Sequence, residues 1–260
     1  MSGRAKRKAE SNPSSSGGRD RASTACMGVL DSMPGTENLT PSTAATESTD
    51  FSAIPFSRYR KNRLQRALKR VLDVAISAVM LLVLSPLFLL LATLIKSTSS
   101  GPILYRWRVV GRKGRPFVGY KFRTMFVGAD QMRDLLRDKN EMTGPFFKMR
   151  NDPRVTPVGR ILRRFSLDEL PQLWSILIGD MALVGPRPTQ VFEYELLQDW
   201  QKKRVEVRPG AVSSWIVSGK TLDFDEMVRM DINYIDHWTI WLDTKILLKV
   251  IPYVLLGKNY

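Results

Sequence analysis

Residues 71–95 form an apolar run broken only by Asp73 and a few Ser or Thr, with Ser85-Pro86 near its centre. A helix of that length rises about 37 Å, enough to cross a bilayer core of about 30 Å. Both flanks are basic: residues 56–70 carry seven Lys or Arg and residues 96–123 carry eight, with no acidic residue in either stretch. Basic flanks favour the cytoplasmic side, so a single crossing would leave one cluster on the wrong face. Pro86 removes a backbone donor and kinks a helix where it stands, and Ser85 can bond back to a freed carbonyl. The pattern predicts a re-entrant helix that dips into one leaflet and returns. An ordinary kinked transmembrane helix is the alternative; a buried core helix would need a partner segment of similar apolarity, and none is present.

The chain carries a formal charge of +15, which calls for an anionic partner. Residues 1–50 hold six basic and six acidic side chains, so the excess lies in residues 51–260. A basic N-terminal nucleic-acid arm is thereby excluded, and no nucleic-acid recognition module is evident. Residues 1–50 are rich in Ser, Thr, Gly, Ala, Asn and Pro and are expected to be a disordered tail, in which Asn38-Leu39-Thr40 is a chance glycosylation match. Cys26 is the only cysteine, which rules out an intramolecular disulfide and a cysteine metal cluster. No apolar run opens the chain, so it is expected to begin in the cytoplasm. The expected organisation is a tail (1–50), a basic flank with the re-entrant helix (51–97) and a cytoplasmic catalytic domain with membrane-interface helices (98–260).

Beyond the apolar run, residues 103–110 and 116–124 read as strands of a hairpin around a turn at residues 111–114. Period-two alternation sets Lys121 and Arg123 side by side on one strand face, as candidates for holding phosphate. The spacing of GRKGRP does not match a phosphate-cradling loop. Residues 129–140 are expected to form an exposed helix, and residues 158–164 a short basic one.

The segment MRNDPRVTPVGRILRRFSLDELPQLWSILIGDMALVGPRP surrounds the adjacent carboxylates Asp168 and Glu169 with arginines, a composition suited to a phosphate-rich substrate and a metal ion. Ser166-Leu167-Asp168-Glu169 also fits a capping box, which predicts a helix from Ser166 to Gly179 with Glu169 reaching back to the cap. A capping box alone carries no chemistry. A helix N-terminus would, however, hold Asp168 ionised as a nucleophile or metal ligand, and Arg163 and Arg187 can present planar forks to phosphate oxygens. Residues 190–205 read as an amphipathic helix, 215–220 as a strand followed by a glycine turn and 223–241 as a helix containing His237, a lone histidine expected to be structural. The terminal WLDTKILLKVIPYVLLGKNY suits a helix lying in a membrane interface, with a core-packing helix as the alternative.

From Leu64 to Gly257 the chain closely resembles the bacterial sugar transferases, the monotopic polyprenyl-phosphate hexose-1-phosphate transferases. The resemblance rests on SPLF, GRKGRPFVGYKFRTM, the segment from GPFFKMRNDP to LVGPRP, VRPG and WLDTKILLK. It implies a mainly helical α+β protein, monotopic in the inner membrane at its cytoplasmic face, with a Pro-broken re-entrant helix, a small β-hairpin and interfacial amphipathic helices. It further implies transfer of a sugar 1-phosphate from a UDP-sugar to undecaprenyl phosphate with release of UMP, at the start of exopolysaccharide, capsule or O-antigen assembly. Asp168 matches the family's nucleophile, which forms a covalent sugar-phosphoryl aspartate, and Glu169 its dyad partner. Magnesium is implied, with Asp168 as its ligand. Lys121, Arg163 and Arg187 match family cations; membrane lipid is a further partner, and a homodimer is left open. Where the family commonly reads TGLWQVSGR this chain reads AVSSWIVSGK, with Ile216 replacing a glutamine and Lys220 an arginine. Lys220 keeps the charge for phosphate but not the bidentate fork. That departure motivates an alternative reading, a catalytically silent membrane-surface scaffold that binds anionic lipid or an export partner.

Overall fold

A computed structural model describes residues 63–257; the expectations for residues 1–50 and for most of the basic flank lie outside them. Helix α1 (Arg63–Val83) and helix α2 (Ser85–Thr98) meet at a bend of 61°. The break falls at Ser85-Pro86 as expected, with Pro86 in the first turn of α2 and Ser85 Oγ donating to Leu82 O at 2.8 Å. Among the described residues no single helix is long and apolar enough to cross a membrane, but the bent pair passes that test together.

The polarity of α1 is reversed relative to a helix docked on a soluble core. Its buried side chains are Lys69, Asp73 and Ser77, one face at a spacing of four, while Val71, Leu72, Ile76, Val79 and Val83 are exposed. Lys69 Nζ lies 2.6 Å from Asp243 Oδ2 and 3.6 Å from Asp73 Oδ2. Asp243 also accepts from Tyr234 Oη at 2.7 Å and Trp238 Nε1 at 3.2 Å. Polar contacts thus fasten α1 to the rest of the chain, and its hydrophobic face is turned away from it.

The hairpin forms as the sequence predicts: β1 (Leu104–Val110) pairs antiparallel with β2 (Pro116–Phe122) around a 3-10 turn at Arg112–Gly114. After α3 (Pro157–Arg164) come α4 (Gln172–Ile178), β3 (Ala182–Val184) and β4 (Thr189–Gln190), the last of which adds to the free edge of β1. Then follow α5 (Val191–Glu195), α6 (Asp199–Lys202) and β5 (Gly210–Val212), which pairs in parallel with β3, then α7 (Ser214–Val217), α8 (Phe224–Asp236) and α9 (Ile240–Leu255). The protein is therefore mainly helical with two small sheets, the α+β class expected.

Three local expectations fail. Residues 129–140 form turns and a 3-10 stretch (Asp134–Lys139) rather than an exposed α-helix, since Ala129 and Leu136 are buried and Asn140 ties the loop to Met142, Phe146 and Lys148. Residues 190–205 are broken into α5 and α6, with glutamine capping boxes at Gln190 and Gln198, and a 3-10 turn. The strand expected from residue 215 is instead part of helix α7, the strand being residues 210–212, while the expected glycine turn is present at Gly219 (φ 96°).

One core cluster joins α4, β3, α8 and α9 through Leu173, Ile176, Met181, Val184, Ile235 and Trp238. A second packs Phe146, Trp215, Phe224 and Met227, and a third sets Leu91 and Ile95 of α2 against Phe122 and Leu162. Helix α9 contributes Ile246 to the core yet leaves Trp241, Leu248, Ile251 and Leu255 exposed, so it packs on the core along one side only. His237 Nδ1 lies 3.1 Å from Asn233 O at the end of α8, the structural role expected of it.

Candidate active site

Two close approaches assemble the site. Gly159 in α3 lies against the backbone of Thr124, where a Cβ would come within 2.0 Å of its carbonyl oxygen, and Thr156 N donates to that same oxygen at 2.9 Å. Helix α3 is thereby fixed beside the end of β2, and Arg163 Nε donates to Thr124 Oγ1 at 2.9 Å. On the hairpin, Gly119 faces Trp107 across the strands; a Cβ there would meet the indole nitrogen at 2.5 Å. Lys121, two residues on, rests its ammonium 4.4 Å from the Trp107 ring centroid.

The dyad sits on neither the predicted helix nor its cap. Ser166 adopts a left-handed conformation (φ 53°), its amide donates to Arg163 O at 3.1 Å, and residues 167–169 form a single 3-10 turn. Pro171 lacks an amide proton and is confined to a helix's first turn, so α4 begins only at Gln172. Glu169 consequently does not reach back to a cap: its Oε1 accepts from Lys121 Nζ at 2.9 Å.

Asp168 is only 9% exposed, and its ionisation is the reverse of that expected for a helix N-terminus. Burial pushes its carboxyl up to about 6, and the Glu169 charge adds to this, against the pull of Lys121 and Arg163. Burial raises Glu169 too, but Lys121 and then Arg187 outweigh it and hold that carboxyl below its usual value.

A cleft of about 90 Å³, partly open to solvent, adjoins the dyad and is lined by Lys121, Glu169, Gln172, Arg187, Ser213 and Ile216, with Trp107, Phe146 and Phe147 as aromatic walls. Arg187, from the Gly-Pro-Arg-Pro segment, stacks at 5.0 Å on the Trp215 ring, as does Lys148. Its backbone is held by a buried pair: Arg204 donates to Arg187 O at 3.0 Å, and Arg204 and Asp231 meet at 2.6 Å. Lys220, at φ 54°, is lowered to about 8 by burial, then by Lys148 and Arg187, while Glu169 opposes the shift. Burial and Arg187 likewise lower Lys148. Five cations thus act around two carboxylates, and the crowding of like charge is relieved when an anion enters.

Of the residues singled out from sequence, Lys121, Glu169 and Arg187 line the cleft, Asp168 and Arg163 stand behind its dyad edge, and Lys220 lies in the same electrostatic field. Arg123 does not join them. It is buried and donates to Ser99 O at 2.9 Å, to Ser99 Oγ at 2.7 Å and to Ser100 O, because it follows the last residue of β2 and turns toward the end of α2. It fastens the end of α2 to the hairpin and does not line the cleft. Sequence reading missed Trp107, Lys148, Gln172 and Ser213. Gln172 alone carried a local signal, lying three residues after Glu169. Among the described residues there is no group of three or more His, Cys, Asp or Glu side chains that could hold a metal ion.

Residues 64–257 match the model of the bacterial sugar transferase family. The chain is 41% identical over 211 residues to the galactosyl transferase CpsE of Streptococcus agalactiae, covering 80% of this chain and 47% of that protein. It is 40% identical over 198 residues to the undecaprenyl-phosphate galactose phosphotransferase of Salmonella typhimurium, covering 74% and 41%. It is also 40% identical over 196 residues to the exopolysaccharide production protein ExoY of Rhizobium meliloti, covering 74% and 87%. The chain therefore spans under half the length of the first two relatives and most of the third. With three quarters of its residues inside the family match, this chain belongs to the bacterial sugar transferases.

Proposed function

We propose that the protein is a phosphoglycosyl transferase that moves a sugar 1-phosphate from a UDP-sugar to undecaprenyl phosphate and releases UMP, opening the assembly of an exopolysaccharide, capsule or O-antigen type glycan. The observation that carries this reading is buried Asp168 with partly exposed Glu169 beside a cleft with surplus positive charge, in a chain similar to a protein named undecaprenyl-phosphate galactose phosphotransferase. An Asp168 carboxylate oxygen bonds to the phosphorus that bears the sugar, while the bond from that phosphorus to the UMP oxygen breaks. An oxygen of the lipid phosphate then bonds to the same phosphorus, the Asp168–phosphorus bond breaks, and the carboxylate is regenerated. Lys121, Arg163 and Arg187 stabilise the phosphate oxygens throughout, with Lys148 and Lys220 adding to the field. Glu169, paired with Lys121, fixes that ammonium beside the reacting phosphate.

Asp168 and Glu169 are hard oxygen donors on adjacent residues, and magnesium is commonly held by one or two carboxylates together with substrate phosphates, so the pair fits that ion. When bound, it would neutralise part of the phosphate charge. The outward apolar faces of α1 and α9 support a monotopic placement at the cytoplasmic face of the inner membrane, with the bent α1–α2 pair entering one leaflet and returning. In membranes supplied with undecaprenyl phosphate and magnesium, a panel of UDP-sugars should include at least one that yields UMP. Asp168→Asn should cut that release by about 10⁴-fold or more, as expected for loss of a nucleophile. Undiminished UMP release from the Asn variant would remove the covalent mechanism.

A further inference from the structure

Gln172 is 1% exposed and Ser213 2% exposed, and both line the cleft. Gln172 Oε1 and Ser213 Oγ are buried with no hydrogen-bond partner. Buried polar atoms in native proteins are nearly always paired, and leaving one orphaned is costly. Trp107 Nε1, a third such atom on the same wall, is a donor that packs against Gly119. Three orphans on the wall of one cleft mark groups held ready for a ligand. Their chemistry limits what that ligand offers. Gln172 Oε1 can only accept, the neighbouring Glu193 carboxylate on the same wall can only accept when ionised, and Ser213 can do either. Phosphate oxygens are acceptors too, so they would leave Gln172 unsatisfied; hydroxyl groups supply the missing donors. The aromatic faces of Trp107, Phe146 and Phe147 suit the C–H face of a sugar ring.

Resting on the phosphoglycosyl transferase reading, we infer that Gln172 and Ser213 form the subsite that binds hydroxyl groups of the transferred sugar. Gln172 follows Glu169 by three residues, separated only by Leu170 and Pro171, so it stands beside the dyad. The phosphate attacked by Asp168 is the one bonded to the sugar, whereas the nucleoside is one phosphate further away. The group next to the dyad is therefore the sugar rather than the ribose or the base.

The test is binding of UDP-glucose, UDP-galactose and plain UDP to the full chain, in the wild type and in Ser213→Ala and Gln172→Met, with thermal unfolding recorded for each. Each variant should weaken the better-bound UDP-sugar about tenfold while the dissociation constant of UDP stays within twofold. Equal weakening of UDP and UDP-sugar would assign these residues to the nucleoside and overturn the inference. So would UDP-sugar affinity unchanged within twofold in both variants. If Gln172→Met fails to fold, Ser213→Ala, which removes a single oxygen, decides between the same outcomes. If the wild type binds neither, the same comparison is made with the UDP-sugar of the panel that yields UMP; a wild type that binds no UDP-sugar of that panel overturns the proposed function itself, and this inference with it. A wild type that binds one, with unaffected variants, overturns only the subsite.

Discussion

Lys69 lies between Asp73 and Asp243, and the surrounding protein satisfies both carboxylates: Tyr234 and Trp238 donate to Asp243, and the Leu183 amide donates to Asp73. At Asp168-Glu169 the balance is reversed, with two carboxylates in the field of five cations and a cleft at their edge. The first cluster is buried charge and the second is partly so, and burial of charge is expensive unless it is paired. The first is closed, with its partners drawn from α1, α8, α9 and the strand β3, and it docks a helix whose other face is apolar and exposed. The second is left with excess charge that an entering anion would offset. A buried cluster satisfied by protein groups holds the fold, and one that keeps a surplus beside a cleft is set up for a ligand.

The sharpest way to break this comparison is Lys69→Met. The substitution keeps length and packing but strips the cation from two buried carboxylates, and breaking such an arrangement costs about 3–5 kcal/mol. For a folded unit of this size that corresponds to a loss of roughly 10 °C in Tm. Turnover per folded molecule should hold at low temperature, measured as UMP release normalised to the folded fraction. Loss of turnover at an unchanged Tm would contradict the division into a structural and a functional cluster.

The matching change on the other side is Lys121→Met. It removes the ammonium 2.9 Å from Glu169 and its stacking on Trp107. The effect should fall on chemistry, with kcat/KM down by about 10²-fold, equivalent to about 2.7 kcal/mol of transition-state stabilisation. The shift in Tm should be well below that of Lys69→Met, because the Lys121 and Glu169 side chains are both partly exposed. A variant that unfolds readily while its folded fraction turns over normally would move Lys121 into the structural class.

How far these clusters could be read from sequence depended on how local their causes are. The hairpin strands and α3 were legible, because alternation, turn residues and the Thr156-Pro157 start act within a few residues. The Ser85-Pro86 bend was legible because proline forbids the straight alternative. The inward face of α1 was present as Lys69, Asp73 and Ser77 at a spacing of four, but its meaning depended on Asp243, 174 positions away from Lys69. Asp168-Glu169 was found for its composition and placed on the wrong element. The capping-box pattern competed with Pro171, and the proline moved the helix start to Gln172. Arg123 shares its strand parity with Lys121, but alternation does not reveal where a long side chain ends, and Ser99 and Ser100 capture this one. Gln172 and Ser213 stayed hidden because a buried polar atom without a partner is a property of packing.

The smallest expected effect sets the floor for the other two. Lys202 and Asp199 form an ion pair at 3.2 Å, three residues apart, with the Asp199 side chain 92% exposed. Water and salt screen such a pair, and ordering two side chains offsets most of its attraction. Asp199 also opens α6, where a carboxylate gains a little from the amide ends of the first turn, so the change is not entirely neutral. Asp199→Ala should therefore shift Tm by less than about 2 °C and leave UMP release within about twofold. Because this pair and Lys69–Asp243 are both close contacts, 3.2 Å against 2.6 Å, the difference in outcome isolates burial as the controlling variable. A Tm loss in Asp199→Ala comparable to that of Lys69→Met would mean that contact distance, and not desolvation, governs these charges, and the contrast between the closed and the open cluster would lose its physical basis.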